Sequence, residues 1–250
     1  MHYKFLKKII GIFGYKVIDK NLIKNERLLS NHSFLTIDKV LNTLFSDLKI
    51  NFVIQIGSND GKRFDNLNKF VKTYNPQGIF VEPIKSNFEE LLKNYSNKKN
   101  LIFENLAISV NNEISELYKV KDSKTNLYDE HVLGITSFDI NHLIKHGVKK
   151  KHIEKENVKS ISFADLLEKH NVNDFDLLLT DTEGYDAHII LDFLNSSKIR
   201  PIIIFEFIHC NNNILKKNLE MLKEKEYSVI KIEENIFCCP KEKQNKLKII

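Results

Sequence analysis

From Asn51 onward, short apolar runs alternate with amphipathic stretches, and turn residues separate them. Phe52-Val53-Ile54-Gln55-Ile56 is a run of strand length that stops at Gly57, and Gly78-Ile79-Phe80-Val81 is a second that stops at Glu82-Pro83. Between them Leu67, Phe70 and Val71 recur at helical spacing, and residues 88–95 repeat that pattern after the second run. Leu101-Ile102-Phe103 leading into Asn105-Leu106-Ala107-Ile108 predicts a third strand region, Phe175-Asp176-Leu177-Leu178-Leu179 a fourth, and residues 201–207 a fifth, with 187–194 helical between the last two. Strands alternating with helices predict a parallel sheet covered on both faces. Residues 227–232 and 236–239, separated by Glu233-Glu234-Asn235, predict an antiparallel hairpin that closes the sheet. The expected fold class is therefore α/β, a doubly wound sheet that is mostly parallel with a C-terminal antiparallel hairpin.

Upstream, residues 34–48 read as an amphipathic helix leading into the core. Residues 1–20 place Leu6, Ile9, Ile10 and Phe13 on one side and Lys4, Lys7 and Lys8 on the other. Such a helix suits docking on the domain or peripheral contact with an anionic membrane surface, and the interruptions at Gly11 and Gly14 favour docking. The expected organisation is a helical segment over 1–48 packed on the core, then one domain over 49–250. Within that domain, residues 118–159 are polar, Lys-rich and hold His131, His142, His146 and His152. The stretch is too long for a plain connection, so it is expected to be an insertion facing the substrate.

Composition narrows the classes. At 250 residues with 42% hydrophobic and 28% charged, the chain can bury a full core, which excludes disordered and collagen-like readings. The apolar stretch at residues 9–15 is too short to span a bilayer and no cleavage site follows it. The expected location is cytoplasmic, with any contact to the inner face of the membrane made through residues 1–20. The net charge of +5 comes almost wholly from Lys, with Arg only at Arg27, Arg63 and Arg200. Base and phosphate recognition lean on Arg, so nucleic acid is not expected as a partner. Cys210, Cys238 and Cys239 have no zinc-site or disulfide spacing and are expected to be reduced thiols. Nothing here sets an oligomeric state.

The chemistry gathers at predicted strand ends. Gly57-Ser58-Asn59-Asp60-Gly61 follows the first strand and opens a helix, at the edge where open α/β sheets bind ligands. Glu82, at the end of the second strand, is placed to accept both hydroxyls of an adenosine ribose. Spacing alone fits a dinucleotide or S-adenosylmethionine. A dinucleotide loop, however, needs a middle glycine where Asn59 stands, and Asp60 and Asp65 would repel pyrophosphate. The same acids attract a sulfonium and an ammonium. Alternatively, Gly57 and Gly61 only make a turn, and Asn59 and Asp60 cap the helix. The fourth strand ends in Thr180-Asp181-Thr182-Glu183-Gly184-Tyr185-Asp186 and the fifth in Glu206-Phe207-Ile208-His209. Ionisable groups delivered by apolar strands to one edge point to a site, although Glu183 could instead cap a helix and Gly184 serve only the turn.

These pieces, with Gln55-Ile56 before the first loop, Asn105-Leu106-Ala107-Ile108-Ser109 and Gly134-Ile135-Thr136-Ser137-Phe138, resemble in their order the FkbM-type family of S-adenosylmethionine-dependent methyltransferases over residues 50–240. The resemblance implies a class I methyltransferase (Rossmann-like) fold and O-methylation of a hydroxyl on a sugar, glycan precursor or secondary metabolite, often in surface polysaccharide biosynthesis. It also implies cofactor contacts from Gly57, Asn59, Asp60 and Gly61 at the methionine end, Glu82 at the ribose, and Asn105 with Ala107 at the adenine, with Gln55 and Asp181 alongside. Gln55 departs from the family pattern, since many methyltransferases carry an acid there, and Asp60 is the expected substitute.

Methyl transfer to oxygen needs alignment and a proton acceptor. Asp181, Glu206 and His209 are the candidate catalytic residues: Asp181 as positioner, with a divalent ion admitted but not assigned, and His209 or Glu206 as base. His209 reads equally as a core histidine. His142 and His146 stand four apart with His131 and His152 nearby, but no acid lies between them in the hydrolase pattern, so no metal ligands are assigned. Two other readings stay open: a nicotinamide-dependent oxidoreductase, and a non-catalytic module that binds S-adenosylmethionine or docks at a membrane.

Overall fold

The sheet's centre is β1 (Phe52–Ile56), which pairs in parallel with β2 (Gln77–Val81) on one side and with β7 (Leu177–Thr180) on the other. The molecule is described by a computed structural model over residues 35–63, 65–110 and 114–247. The basic stretch 1–20 and its expected membrane contact lie outside the described residues.

Outward from β1 the order is β3-β2-β1-β7-β8-β10-β9, with β3 at Leu101–Glu104, β8 at Ile202–Glu206, β9 at Tyr227–Ile232 and β10 at Asn235–Pro240. All pairings are parallel until β10, which runs antiparallel to both β8 and β9. The expected doubly wound sheet with a closing hairpin is thus observed. Alternation along the strands sends side chains to two cores. Val53, Leu177, Leu179, Ile202 and Ile204 meet α1 (Ile37–Asp47) and α2 (Asn68–Tyr74) on one face. Ile54, Ile56, Leu178, Ile203 and Phe205 meet α6 (Phe163–Lys169) and α7 (Asp186–Ser196) on the other.

The helix expected over 34–48 is α1. It buries Ile37, Val40, Leu41, Leu44 and Phe45, the stripe an amphipathic helix turns to a core, and Phe45 stacks on Phe70 with ring centres 5.2 Å apart. It therefore belongs to the same unit, residues 37–250, as the sheet. Cys238 and Cys239 on β10 are free, buried thiols, and burial pushes Cys239 up to about 11. No helix among the described residues is long and apolar enough to cross a membrane.

The expected insertion has more structure than its polarity suggested. β5 (Ile114–Val120) and β6 (Ile153–Ile161) pair antiparallel, and β4 (Ala107–Ile108) adds to β6 in parallel, giving a second, three-stranded sheet. Between β5 and β6 lie α4 (Glu130–Gly134) and α5 (Ile140–Lys145), gathered on a small core of Val120, Ile135, Leu143, Val148 and Ile153.

Candidate active site

The C-terminal ends of β1, β2, β7 and β8, together with β4 and residues 134–138, enclose a cavity of about 250 Å³. Its shape starts with the first loop. The N–H groups of Gly57 and Ser58 both donate to the Val81 carbonyl, at 2.9 and 3.0 Å, which ties the loop to the end of β2. Gly57 has φ +82°, and a Cβ there would fall 1.9 Å from the Asp181 carbonyl oxygen. Only glycine lets the loop and the end of β7 approach this closely.

Glu82 lines the cavity, and its carboxylate also organises the walls. Its two oxygens accept the backbone N–H groups of Asn59 and Ile84, each at 2.9 Å. Burial outweighs these bonds and raises the carboxyl to about 7.

The other expected cofactor residues divide. Gln55, Gly57, Asn59, Ala107 and Asp181 line the cavity with Glu82, whereas Asp60, Gly61 and Asn105 do not. Asp60 is turned into its own loop, where it accepts from the N–H groups of Lys62 and Arg63 and pairs with the Arg63 guanidinium at 2.6 Å. Burial opposes its ionisation, but these bonds prevail and hold the carboxyl below its ordinary value. It is thus a cap rather than a stand-in for the acid missing at position 55. Gly61 is needed for packing, since a Cβ would come within 2.5 Å of Leu91 and Tyr95. Asn105 donates to the carbonyls of Glu82 and Pro83, both at 2.9 Å, and so braces the turn after β2 from outside.

Asp65, whose charge already counts against pyrophosphate in the sequence although it is not named there as a cofactor contact, lines the cavity. Gln55 Nε2 donates to it at 2.9 Å, and the Leu67 N–H and the Tyr95 hydroxyl donate as well. Burial raises its carboxyl despite those donors. A glutamine and an acid from different elements therefore occupy the place where one strand-end acid was expected.

At the other end stand Asp181 and Glu206. Asp181 presents its surface to the cavity, yet the surrounding protein and the nearby charges of Asp186 and Glu183 push its carboxyl up to about 8. Burial, with repulsion from Asp181 and Asp186, pushes Glu206 up to about 9. Glu183 neither caps α7 nor faces this pair alone. It holds φ +54° and meets His142 Nε2 at 3.1 Å. Burial opposes its ionisation, but His142, His209 and His146 together keep its carboxyl low. The third expected catalytic residue, His209, is not part of the cavity lining. It lies in an adjoining depression with His142 and His146, where burial and neighbouring imidazoles lower its basicity. His152 sits apart, bonded to the Tyr128 hydroxyl at 2.7 Å.

The β7 loop is held by Asp186, fully buried, which accepts from the Thr180 hydroxyl at 2.6 Å and from the N–H groups of Thr182 and Gly184. Asp186→Ala strands three donors at once and is expected to lower the unfolding free energy by about 2–4 kcal/mol, read by urea denaturation.

Six buried side-chain polar atoms among the described residues have no hydrogen-bond partner, and three of them, Gln55 Oε1, Thr182 Oγ1 and Glu206 Oε2, belong to cavity residues. Buried polar atoms are normally satisfied, so this concentration marks a ligand-binding cavity. The sequence matches the family model described as methyltransferase FkbM domain over residues 55–229. The chain belongs to the FkbM methyltransferase family.

As a member it is an S-adenosylmethionine-dependent methyltransferase of class I fold. Its cavity fits that cofactor. Gln55 Oε1 is a free buried acceptor for an ammonium. The carboxylates of Asp65, Glu82, Asp181 and Glu206 favour a cation and disfavour the pyrophosphate of a nicotinamide dinucleotide. Similar solved structures include an FkbM methyltransferase from Methylobacillus flagellatus KT, 10% identical, with TM-score 0.45, the match covering 83% of this chain and 45% of that one. Fibrillarin from Aeropyrum pernix, in complex with natively bound S-adenosyl-L-methionine, is 9% identical with TM-score 0.40, covering 75% and 66% of the two chains. The ribosomal protein L11 methylase of Lactobacillus delbrueckii subsp. bulgaricus is 12% identical with TM-score 0.38, covering 81% and 74%. The chain spans less than half the length of the Methylobacillus FkbM structure. No curated protein matches it.

Proposed function

We propose that this methyltransferase acts on a hydroxyl oxygen of a sugar or glycan precursor, in the making of a surface polysaccharide or secondary metabolite. The observation that carries the reading is Glu206, whose Oε2 is buried without a partner beside Asp181 in the cavity. An alcohol oxygen becomes an effective nucleophile only as its proton leaves. A carboxylate raised to about 9 is an unusually strong base for its type, and no donor among the described residues competes for that oxygen.

S-adenosylmethionine supplies the electrophilic methyl and a positive charge. The protein supplies the rest. A cation in the cavity lowers the pKa of both acids, so Glu206 ionises when the cofactor is present. Glu206 then takes the hydroxyl proton while Asp181 holds the acceptor in line. Glu206 is preferred to His209 as base because the histidine ring lies outside the cavity. Phe138 and Tyr185, with ring centres 4.5 Å apart, give the acceptor side an aromatic wall suited to the C–H face of a sugar.

The test is incubation with S-adenosylmethionine and a panel of nucleotide sugars and glycans, followed by mass analysis. The expected result is an acceptor one methylene heavier, methylated on oxygen. Glu206→Gln should lower kcat by about 10²–10⁴-fold, with a smaller loss of cofactor affinity. A product methylated on nitrogen, or full activity in Glu206→Gln, overturns the reading.

A further inference from the structure

Phe138, Glu183 and Tyr185 form a shared wall. On one side is the methyl-transfer cavity, and on the other is a more open depression that holds His142, His146 and His209. The three imidazoles come from two distant parts of the chain. His142 on α5 and His146 at its C-terminal end are one helical turn apart and share a face. His209 arrives from the segment after β8. The ring centres are 4.7 Å apart for His142 and His146, 4.5 Å for His142 and His209, and 5.2 Å for His146 and His209.

Packing gives no reason for this crowding, because imidazoles so close repel one another once protonated. Among the described residues, only His142 of the three has a carboxylate hydrogen-bond partner, Glu183 at 3.1 Å. The backbone nevertheless holds the cluster together. Gly184 has φ +104°, and its missing Cβ would lie 2.9 Å from the His209 carbonyl oxygen, so the loops after β7 and β8 that carry Glu183 and His209 are pressed together there. One nitrogen from each of the three histidines lies within 4.8 Å of the others, and Glu183, Glu206 and His209 form a second set within the same limit.

We propose that His142, His146, His209 and Glu183 bind a divalent transition-metal ion of borderline character, zinc or a neighbour in its row, in the wall beside the methyl-transfer cavity. Three imidazoles and one carboxylate suit such an ion. Magnesium and calcium, which take oxygen ligands, do not fit this donor set. At Zn–N distances of about 2.0–2.1 Å, tetrahedral ligand atoms stand about 3.3 Å apart, so small rotamer changes close the 4.8 Å spread of the three imidazoles onto an ion, with Glu183 entering from beside His142, its partner at 3.1 Å.

The second ligand set brings Glu206 next to the same position. An acceptor hydroxyl entering an open coordination site would lose its proton more readily and pass it to Glu206. The oxygen electron pair then forms the new O–CH3 bond as the C–S pair leaves with sulfur. This role rests on the proposed O-methyl transfer, whereas the binding of the ion does not.

The test uses the full chain, stripped with a chelator and titrated with Co²⁺, whose visible absorption reports coordination number and ligand type. Expected is one equivalent bound with a four- or five-coordinate spectrum of nitrogen and oxygen ligands, displaced by Zn²⁺ but not by millimolar Mg²⁺. His146→Gln, at a partly exposed helix end, and the double variant His142→Ala/His146→Ala should weaken binding by more than the roughly 10–100-fold that loss of an outer-shell partner costs. Circular dichroism checks their folding. Absence of stoichiometric binding, or an unchanged spectrum in His146→Gln, overturns the proposal. Calorimetry with S-adenosylmethionine on the same preparations separates the two readings. Cofactor binding without a cobalt spectrum sinks the metal site alone, and a cobalt spectrum without cofactor binding sinks the methyl-transfer site alone.

Discussion

Glu82→Gln is expected to bind S-adenosylmethionine about 100-fold or more weakly than the wild type in titration calorimetry at pH 8. Two hydrogen bonds from ribose hydroxyls to a charged acceptor are worth about 1.5–3 kcal/mol each, and the substitution also disturbs the loop. The amide must present its NH2 group to the N–H of Asn59 or Ile84, both of which now donate to the carboxylate. The dependence on pH has a definite sign. The carboxyl of Glu82 stands at about 7, so it is ionised and able to accept two hydroxyl donors above that pH. Wild-type affinity should therefore fall on acidification through pH 7, by at most about tenfold per unit for a single linked proton. Glu82→Gln should lose this component and keep only the dependence that Asp181 and Glu206 contribute at higher pH. Equal affinity of the two proteins at pH 8 would remove Glu82 from the cofactor site, and binding of NADH by the wild type would restore the nicotinamide reading.

Gly57→Ala is the second large effect. Its Cβ would fall 1.9 Å from the Asp181 carbonyl oxygen and 2.8 Å from the carbonyl carbon. The colliding atoms are backbone just past the end of β7, the strand beside β1, so relief requires separating the two strand ends at the cavity edge. A loss of about 3 kcal/mol or more in stability is expected, together with weakened cofactor binding. Gly147→Ala is the matched comparison. That glycine also has positive φ, +87°, but nothing lies within 4 Å of a Cβ there. It should lose only the roughly 1–2 kcal/mol of left-handed strain. Similar losses at the two positions, measured by urea denaturation, would show that the close approach at Gly57 contributes little.

The central strands were legible because each is an apolar run bounded by turn residues, and burial on both faces leaves that run little choice of partner. β5 and β6 were not. Ile-Ser-Glu-Leu-Tyr-Lys-Val and the Lys- and Glu-rich β6 sit in a small sheet with much exposed surface, so their alternation is carried by few apolar residues. Within the site, Gly57, Glu82, Asp181 and Glu206 could be placed because strand ends converge by topology. Asp60 could not, because its partners are the next residues along, Lys62 and Arg63, and this local cap competes with any cofactor role. Asp65 carries no motif at all: its place depends on Gln55 and Tyr95 reaching it from other elements. The grouping of His209 with His142 and His146 depends likewise on how α5 meets the end of β8, which no spacing along the chain reveals.

The position of β1 at the centre of the sheet also sets an order of events during synthesis. Its partner on one side, β2, begins at Gln77, while the other, β7, begins only at Leu177. A growing chain therefore completes the Glu82 side of the cavity, with Glu82 already clamped to Asn59, while the opposite edge of β1 is still an unpaired apolar strand. Such an edge is a template for pairing with other chains, and non-local parallel pairing is slow. The nascent enzyme should be most vulnerable to aggregation after β3 has emerged and before β7 has docked, the interval in which the histidine-bearing insertion is being made.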